Sequence, residues 1–106
     1  MATIEDFKKL EIIVAQIKEV KEHPNADRLY VLQVDTGKDM RQIVAGIRQA
    51  YTPEQLIGRR VILVANLEPA VIRGETSNGM LLAASDAVNQ SLLTLDKDIA
   101  LGTIVK

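Results

Sequence analysis

Four arginines carry most of the chemistry this 106-residue chain can offer: Arg28, Arg41, Arg48 and Arg73. A guanidinium fork takes a phosphate as readily as a carboxylate. Arg28 stands where the turn-forming run His23-Pro24-Asn25-Ala26-Asp27 meets a strand, and Arg73 sits beside Gly74 at the tip of a long polar loop. A cation displayed at such a tip can reach a backbone phosphate. Arg41 and Arg48 flank a later apolar run and either extend that face or solubilise it. Arg59 and Arg60 follow a helix-ending glycine, where a cation suits the helix's negative end, so they are read as structural. His23 has no second histidine or cysteine with which to share a metal, and no serine or carboxylate at a telling spacing, so it reads as a turn opener. Asp35 with Asp39, and Asp96 with Asp98, imitate catalytic carboxylate pairs, but each lies in a turn bearing a lysine and reads as solvated charge. No glycine run has phosphate-loop or dinucleotide spacing. The chain is therefore expected not to be an enzyme and to need neither cofactor nor metal.

Composition agrees with a small binding module. There is no cysteine, which removes disulfides and thiolate chemistry, and no apolar stretch nears the roughly 20 residues needed to span a bilayer. Net charge is −1, but residues 28–73 hold seven cations against four carboxylates. That leaves room for a local basic face, but binding to arbitrary polyanions is expected to be weak. Only Phe7, Tyr30 and Tyr51 are aromatic, too few for a row of base-stacking platforms, so structured RNA suits the chain better than single strands.

The elements that must hold these arginines are mostly strands. Thr3 before Ile4, Glu5 and Asp6 predicts an N-cap and a short helix over 4–9, with Ile4 and Phe7 on one face. Leu10, Ile12 and Val14 alternate before Ile17 and Val20 fall out of phase, which predicts a first strand with a bulge near Ala15 and Gln16. Tyr30, Leu32 and Val34 mark a second strand, 42–47 a third with Gly46 as a kink, 61–65 a central fourth, and 80–84 a fifth. Thr52, Pro53 and Gln55 predict a single-turn helix between strands three and four. Residues 66–82, with Pro69, Gly74 and Gly79, read as a shaped loop that is neither strand nor helix. Residues 92–95 and 104–105 add two short strands. The class is all-β: an OB-fold five-stranded barrel with short helices and a C-terminal β extension, with a β-sandwich as the alternative.

The runs HPNADRL at 23–29 and NLEPAVIRGETSNGMLL at 66–82 together resemble the tRNA-binding-domain family, and the resemblance covers nearly the whole chain. That family includes the C-terminal appendage of methionyl-tRNA synthetases, free-standing structure-specific tRNA-binding proteins, and the domain of endothelial monocyte-activating polypeptide II. The resemblance implies a single tRNA-binding OB-fold domain over 1–106. It would be a non-catalytic module that recognises tRNA shape and aids aminoacylation by raising local tRNA concentration for an aminoacyl-tRNA synthetase. The family's tRNA-binding basic residue, serine and methionine fall on Arg28, Ser77 and Met80, and Arg73, Asn25, Arg41 and Arg48 complete the expected surface. The resemblance also implies a homodimer built through the N-terminal helix and C-terminal extension, whose apolar residues 92–105 have little core to join. With no spanning stretch and no basic start or apolar middle of a secretory signal over 1–7, the protein is read as cytoplasmic. Met1 directly before the helix favours a free-standing protein over a synthetase tail. A polypeptide-binding role, like that of the secretion-chaperone relatives of the fold, is the alternative.

Three departures stand out. Glu11, Ile13 and Ala15 occupy positions where the family usually has an aspartate, an arginine and a glycine. Ala70 and Val71 stand where two basic residues often precede the loop arginine, and Ala50 where a second tyrosine often precedes Tyr51. The lost loop cations bear on affinity. Ile13 in place of an arginine points to a covered surface, with a partner subunit as the candidate cover.

Overall fold

The computed structural model describes residues 1–106. In chain order the elements are α1 (Ile4–Lys8), β1 (Ile12–Glu22), β2 (Tyr30–Asp35), β3 (Met40–Ala45), α2 (Pro53–Leu56), β4 (Arg60–Val64), β5 (Ala70–Ile72), β6 (Glu75–Ser77), β7 (Met80–Leu81), β8 (Ala83–Ser85) and β9 (Gln90–Leu92). Five strands form one antiparallel sheet in the order β3-β2-β1-β4-β7. The sheet curls into an OB-like half-barrel. No helix is long and apolar enough to cross a membrane.

The pleat of β1 explains the layering. Ile13, Ala15 and Ile17 point into the barrel, where they meet Leu32, Val34, Ile43, Val61 and Leu63, and α2 adds Leu56. Ile12 and Val14 point the other way and join Ile62 and Val64 on the outer face. Ile13 is therefore interior, and no partner subunit is needed to cover it. The bulge comes two residues later than expected: Ile17 opposes Val34 and Glu19 opposes Gln33, so Lys18 is the extra residue. Ile17 is still in phase with Ile13, and only Val20 shows the change of face.

The C-terminal segment also differs from the expectation. Leu95, Ile99, Leu101 and Val105 pack over the outer cluster, and Leu92 belongs to the barrel core. These residues do have a core to join. β1 outlasts β2, whose pairing ends at Gln16 with Asp35, and the chain's own tail takes the vacant edge. The N–H groups of Gly102 and Val105 donate to the carbonyls of Val14 and Ile12 at 2.8 Å each, and Val14 N–H donates to Thr103 at 3.0 Å. The short strands expected at 92–95 and 104–105 become β9, which pairs with β8, and a single bridge from Ile13 to Ile104.

Residues 66–82 are a correction too. They contain the β5–β6 hairpin and the whole of β7. Arg73 at φ 54° and Gly74 at φ 92° form the two-residue turn, and a positive φ at both positions marks the primed turn that matches strand twist. Arg73 is the only non-glycine residue with positive φ, so the usual Asn-Gly or Asp-Gly signal is absent.

Candidate nucleic-acid interface

Arg28 owes its position to a turn pinned by backbone hydrogen bonds. Leu29 N–H donates to Ala26 at 3.3 Å, which leaves Asp27 and Arg28 as the central residues, and His23 N–H donates to Leu29 at 3.1 Å. Arg48 then binds the turn from the third strand's side. Its backbone N–H donates to Arg28 at 3.3 Å, its guanidinium donates to Ala26 at 3.2 Å, and the same group pairs with Glu22 at 2.8 Å. The backbone of Arg28 is held while its side chain is exposed and belongs to none of the chain's ion pairs. That is a suitable arrangement for a phosphate contact.

Arg73 is exposed in the same way at the hairpin tip. Arg28, Leu29, Val71 and Arg73 line one groove of about 640 Å³ between turn and hairpin. On its other side Arg28 lines a second groove, of about 660 Å³, with the neutral polar side chains of Gln49, Ser85, Asn89 and Gln90. Asp86 sits there as well, its carboxylate taking the N–H groups of Val88 and Asn89 at 2.8 and 2.6 Å. Those two bonds hold it below the ordinary aspartate value.

The remaining expected site residues are spread out. Asn25 is exposed in the same turn as Arg28. Met80, which could have been core filler, is 49 % exposed on β7. Ser77 is only 3 % exposed. Its hydroxyl accepts from Val44 N–H at 2.9 Å and donates to the Gly79 carbonyl at 3.0 Å. With Asn78 N–H donating to Gln42 at 2.8 Å, it sews β3 to the loop before β7 and closes the barrel seam. Ser77 thus shapes the loop from within and leaves the surface to its neighbours. Arg41 and Arg48 are largely committed inside the chain, at 22 % and 23 % side-chain exposure. Arg41 donates to the Ala65 carbonyl and pairs with Asp39 at 3.4 Å. Arg59 lies over the Tyr51 ring at 5.2 Å, in keeping with its structural reading.

Asp39 anchors that corner. A hydrogen bond from the buried Thr36 hydroxyl, opposed by some desolvation and helped by Arg41, holds its carboxyl below the ordinary value of 3.8. A carboxylate lowered in the folded state stabilises above the unfolded value, and that stabilisation drains away as pH falls through the folded one. Wild type should therefore exceed Asp39→Asn in melting temperature at neutral pH, with the gap closing below about pH 4. Melting curves of the two proteins across the acid range check this. A gap that stays constant with pH would remove the assignment.

Sequence reasoning placed His23 in its turn and missed its second partner. It is 3 % exposed and bridges the two halves of the first groove: Nε2–H donates to the Ile72 carbonyl at 3.0 Å, and Nδ1 accepts from Asn25 N–H at 3.0 Å. No group of three or more His, Cys, Asp or Glu side chains is placed to hold a metal.

Known proteins match the chain along its length. A family described as "Putative tRNA binding domain" matches residues 12–104. The methionine-tRNA ligase of Pyrococcus horikoshii is 54 % identical over 102 residues, which is 96 % of this chain and 14 % of the ligase. The chain thus spans about a seventh of that relative. Among solved structures, a methionyl-tRNA-synthetase-related protein from Pyrococcus horikoshii superposes with a TM-score of 0.93 at 30 % identity, covering 100 % of this chain and 98 % of that one. The chaperone CsaA of Bacillus anthracis superposes with a TM-score of 0.90 at 30 % identity, covering 100 % and 99 %.

Proposed function

Because the chain belongs to the tRNA-binding domain family, we propose that it is a non-catalytic module that grips folded tRNA and so aids an aminoacyl-tRNA synthetase. The observation that carries this reading is the pair of exposed, internally unpaired arginines, Arg28 and Arg73, on one groove. Each can take a backbone phosphate, and two cations on pinned turns meet two phosphates only when the RNA holds them at the matching separation. Net charge of −1 and three aromatics supply neither indiscriminate attraction nor stacking. Asn25 and Met80 would add contacts beside the arginines, Ser77 would hold the loop in shape, and the partly exposed Arg41 and Arg48 would extend the field. The protein would act in the cytoplasm, where charged tRNA is made.

Competition against labelled tRNA tests this. Several intact tRNAs should compete alike, whereas magnesium-free tRNA and a single strand of equal length should compete poorly. Equal competition by the single strand would defeat recognition by shape. If every RNA fails to bind, polypeptide binding moves ahead. That second reading has its own support in the likeness to the chaperone CsaA and in the open outer edge of β5, where Val71 is exposed.

The same reading includes a homodimer. Helix α1 has five residues and buries none of them, yet Ile4 and Phe7 face outward, with Leu10 and Ile104 also exposed. So short a helix is not stable alone. The Thr3–Asp6 capping box and the Asn66 side chain, which accepts from Glu11 N–H and donates to the Lys9 carbonyl, fix its ends without covering its apolar face. A second copy would cover it by a two-fold contact. Sedimentation should give a dimer at micromolar concentration for wild type and a monomer for Phe7→Glu. A monomeric wild type rules the dimer out.

A further inference from the structure

We propose that His23 is the positioning residue that fixes the distance between Arg28 and Arg73, and hence the spacing of phosphates the groove accepts. The inference rests on the tRNA-binding reading above. A carbonyl can only accept, so His23 must carry its proton on Nε2 to bond Ile72, and Nδ1 must be bare to receive Asn25 N–H. Both bonds at once thereby fix the ring's orientation. Each bond lands close to an arginine: Ile72 immediately precedes Arg73, and Asn25 lies in the turn that presents Arg28.

The hairpin needs such a tie. β5 and β6 have three residues each and pair only with one another as strands. An isolated pair of that length is marginal in water. At its base the hairpin is sewn to β3, through Gln42 Nε2–H donating to Thr76 at 2.9 Å and through Ser77. On the β5 side, the bond from His23 is the side-chain tie to the rest of the barrel. Without it the tip carrying Arg73 is free to swing about its base while the Arg28 turn stays fixed by Arg48. A mobile cation still attracts RNA but no longer measures it.

Two conservative variants separate the two bonds. In His23→Asn the short amide can still accept from Asn25 N–H but cannot reach Ile72. In His23→Gln the longer amide can reach Ile72 but leaves the turn cap. The readouts are amide hydrogen exchange of 70–77 in the RNA-free protein and affinity for intact tRNA, alone and combined with Arg73→Met. His23→Asn should speed hairpin exchange and weaken tRNA binding about fivefold, with His23→Gln close to wild type in both. Added to Arg73→Met, His23→Asn should cost nothing further, because a misplaced tip no longer matters once its arginine is gone. Equal behaviour of the two variants, or full additivity with Arg73→Met, overturns the proposal. If the wild-type protein binds no tRNA, the proposed function fails, and the exchange arm still decides whether His23 holds the hairpin.

Discussion

Gly79→Ala is expected to lower the melting temperature by about 15 °C, whereas Gly74→Ala, five residues earlier in the same segment, should lower it by only about 5 °C. The difference comes from what surrounds the two positions. Both have a positive φ, so both substitutions carry backbone strain of about 1 kcal/mol or more. At Gly74 a methyl group meets nothing within 4 Å. At Gly79 it meets the Val64 carbonyl at 2.9 Å, Leu63 Cδ1 at 3.0 Å and Ile43 Cδ1 at 3.3 Å, in a place where the φ of 136° already suits glycine alone. The backbone must then move off β4, which adds an overpacking cost and brings the total to about 3 kcal/mol. Thermal melts of the two variants decide this, and equal shifts would mean that the close approach to Val64 contributes nothing. Gly79 also supplies the carbonyl that receives the Ser77 hydroxyl, so its loss should loosen the seam between β3 and the loop.

Arg28→Met and Arg73→Met should each weaken tRNA binding five- to tenfold, roughly 1 kcal/mol apiece, and together by about the product, with melting unchanged. Neither guanidinium belongs to an ion pair inside the chain, so removing it costs contacts to RNA and little else. The logarithmic salt dependence should shallow by about one for each arginine removed. Arg41→Met and Arg48→Met provide the contrast. Arg41→Met orphans the Ala65 carbonyl, and Arg48→Met removes one of the two donors to Ala26 together with the pair to Glu22, so both should lower the melting temperature as well as affinity. If affinity and salt slope stay at wild-type values in Arg28→Met while melting is normal, Arg28 is not a phosphate contact.

Much of the barrel was legible because its strands alternate. Tyr30, Leu32 and Val34 announce β2, and Thr52, Pro53 and Gln55 announce α2, where Gln55 does accept from Thr52 N–H at 2.8 Å. The β5–β6 hairpin was not legible, because Pro69, Gly74 and Gly79 leave windows of four residues and an arginine occupies a position that usually takes asparagine or glycine. Nor could the tail's place be read. It follows from β1 outlasting β2, a fact of register rather than of local pattern. In the candidate site, Arg28 and Arg73 stood out because turns display them. His23, Arg41 and Arg48 were harder to assign because their partners include backbone carbonyls as far as 49 residues away, and a carbonyl leaves no mark on composition. Ser77 was singled out by resemblance, and the structure gives it a seam to hold.

The tail that fills the open edge of β1 also sets a timetable. Val14 N–H donates to Thr103 and the Val14 carbonyl accepts from Gly102, a closure across nearly the whole chain that costs about 4 kcal/mol of chain entropy on the logarithmic loop law and is recovered only once both partners exist. A ribosome delivers Ile12 and Val14 about 90 residues before their edge partners. Until Val105 emerges, the outer apolar face of β1 and β4 lacks much of its cover, and the first strand keeps unpaired amides on one side. That strand edge therefore stays open to mispairing until synthesis has passed Val105, and its closure spans one of the longest sequence separations in the fold.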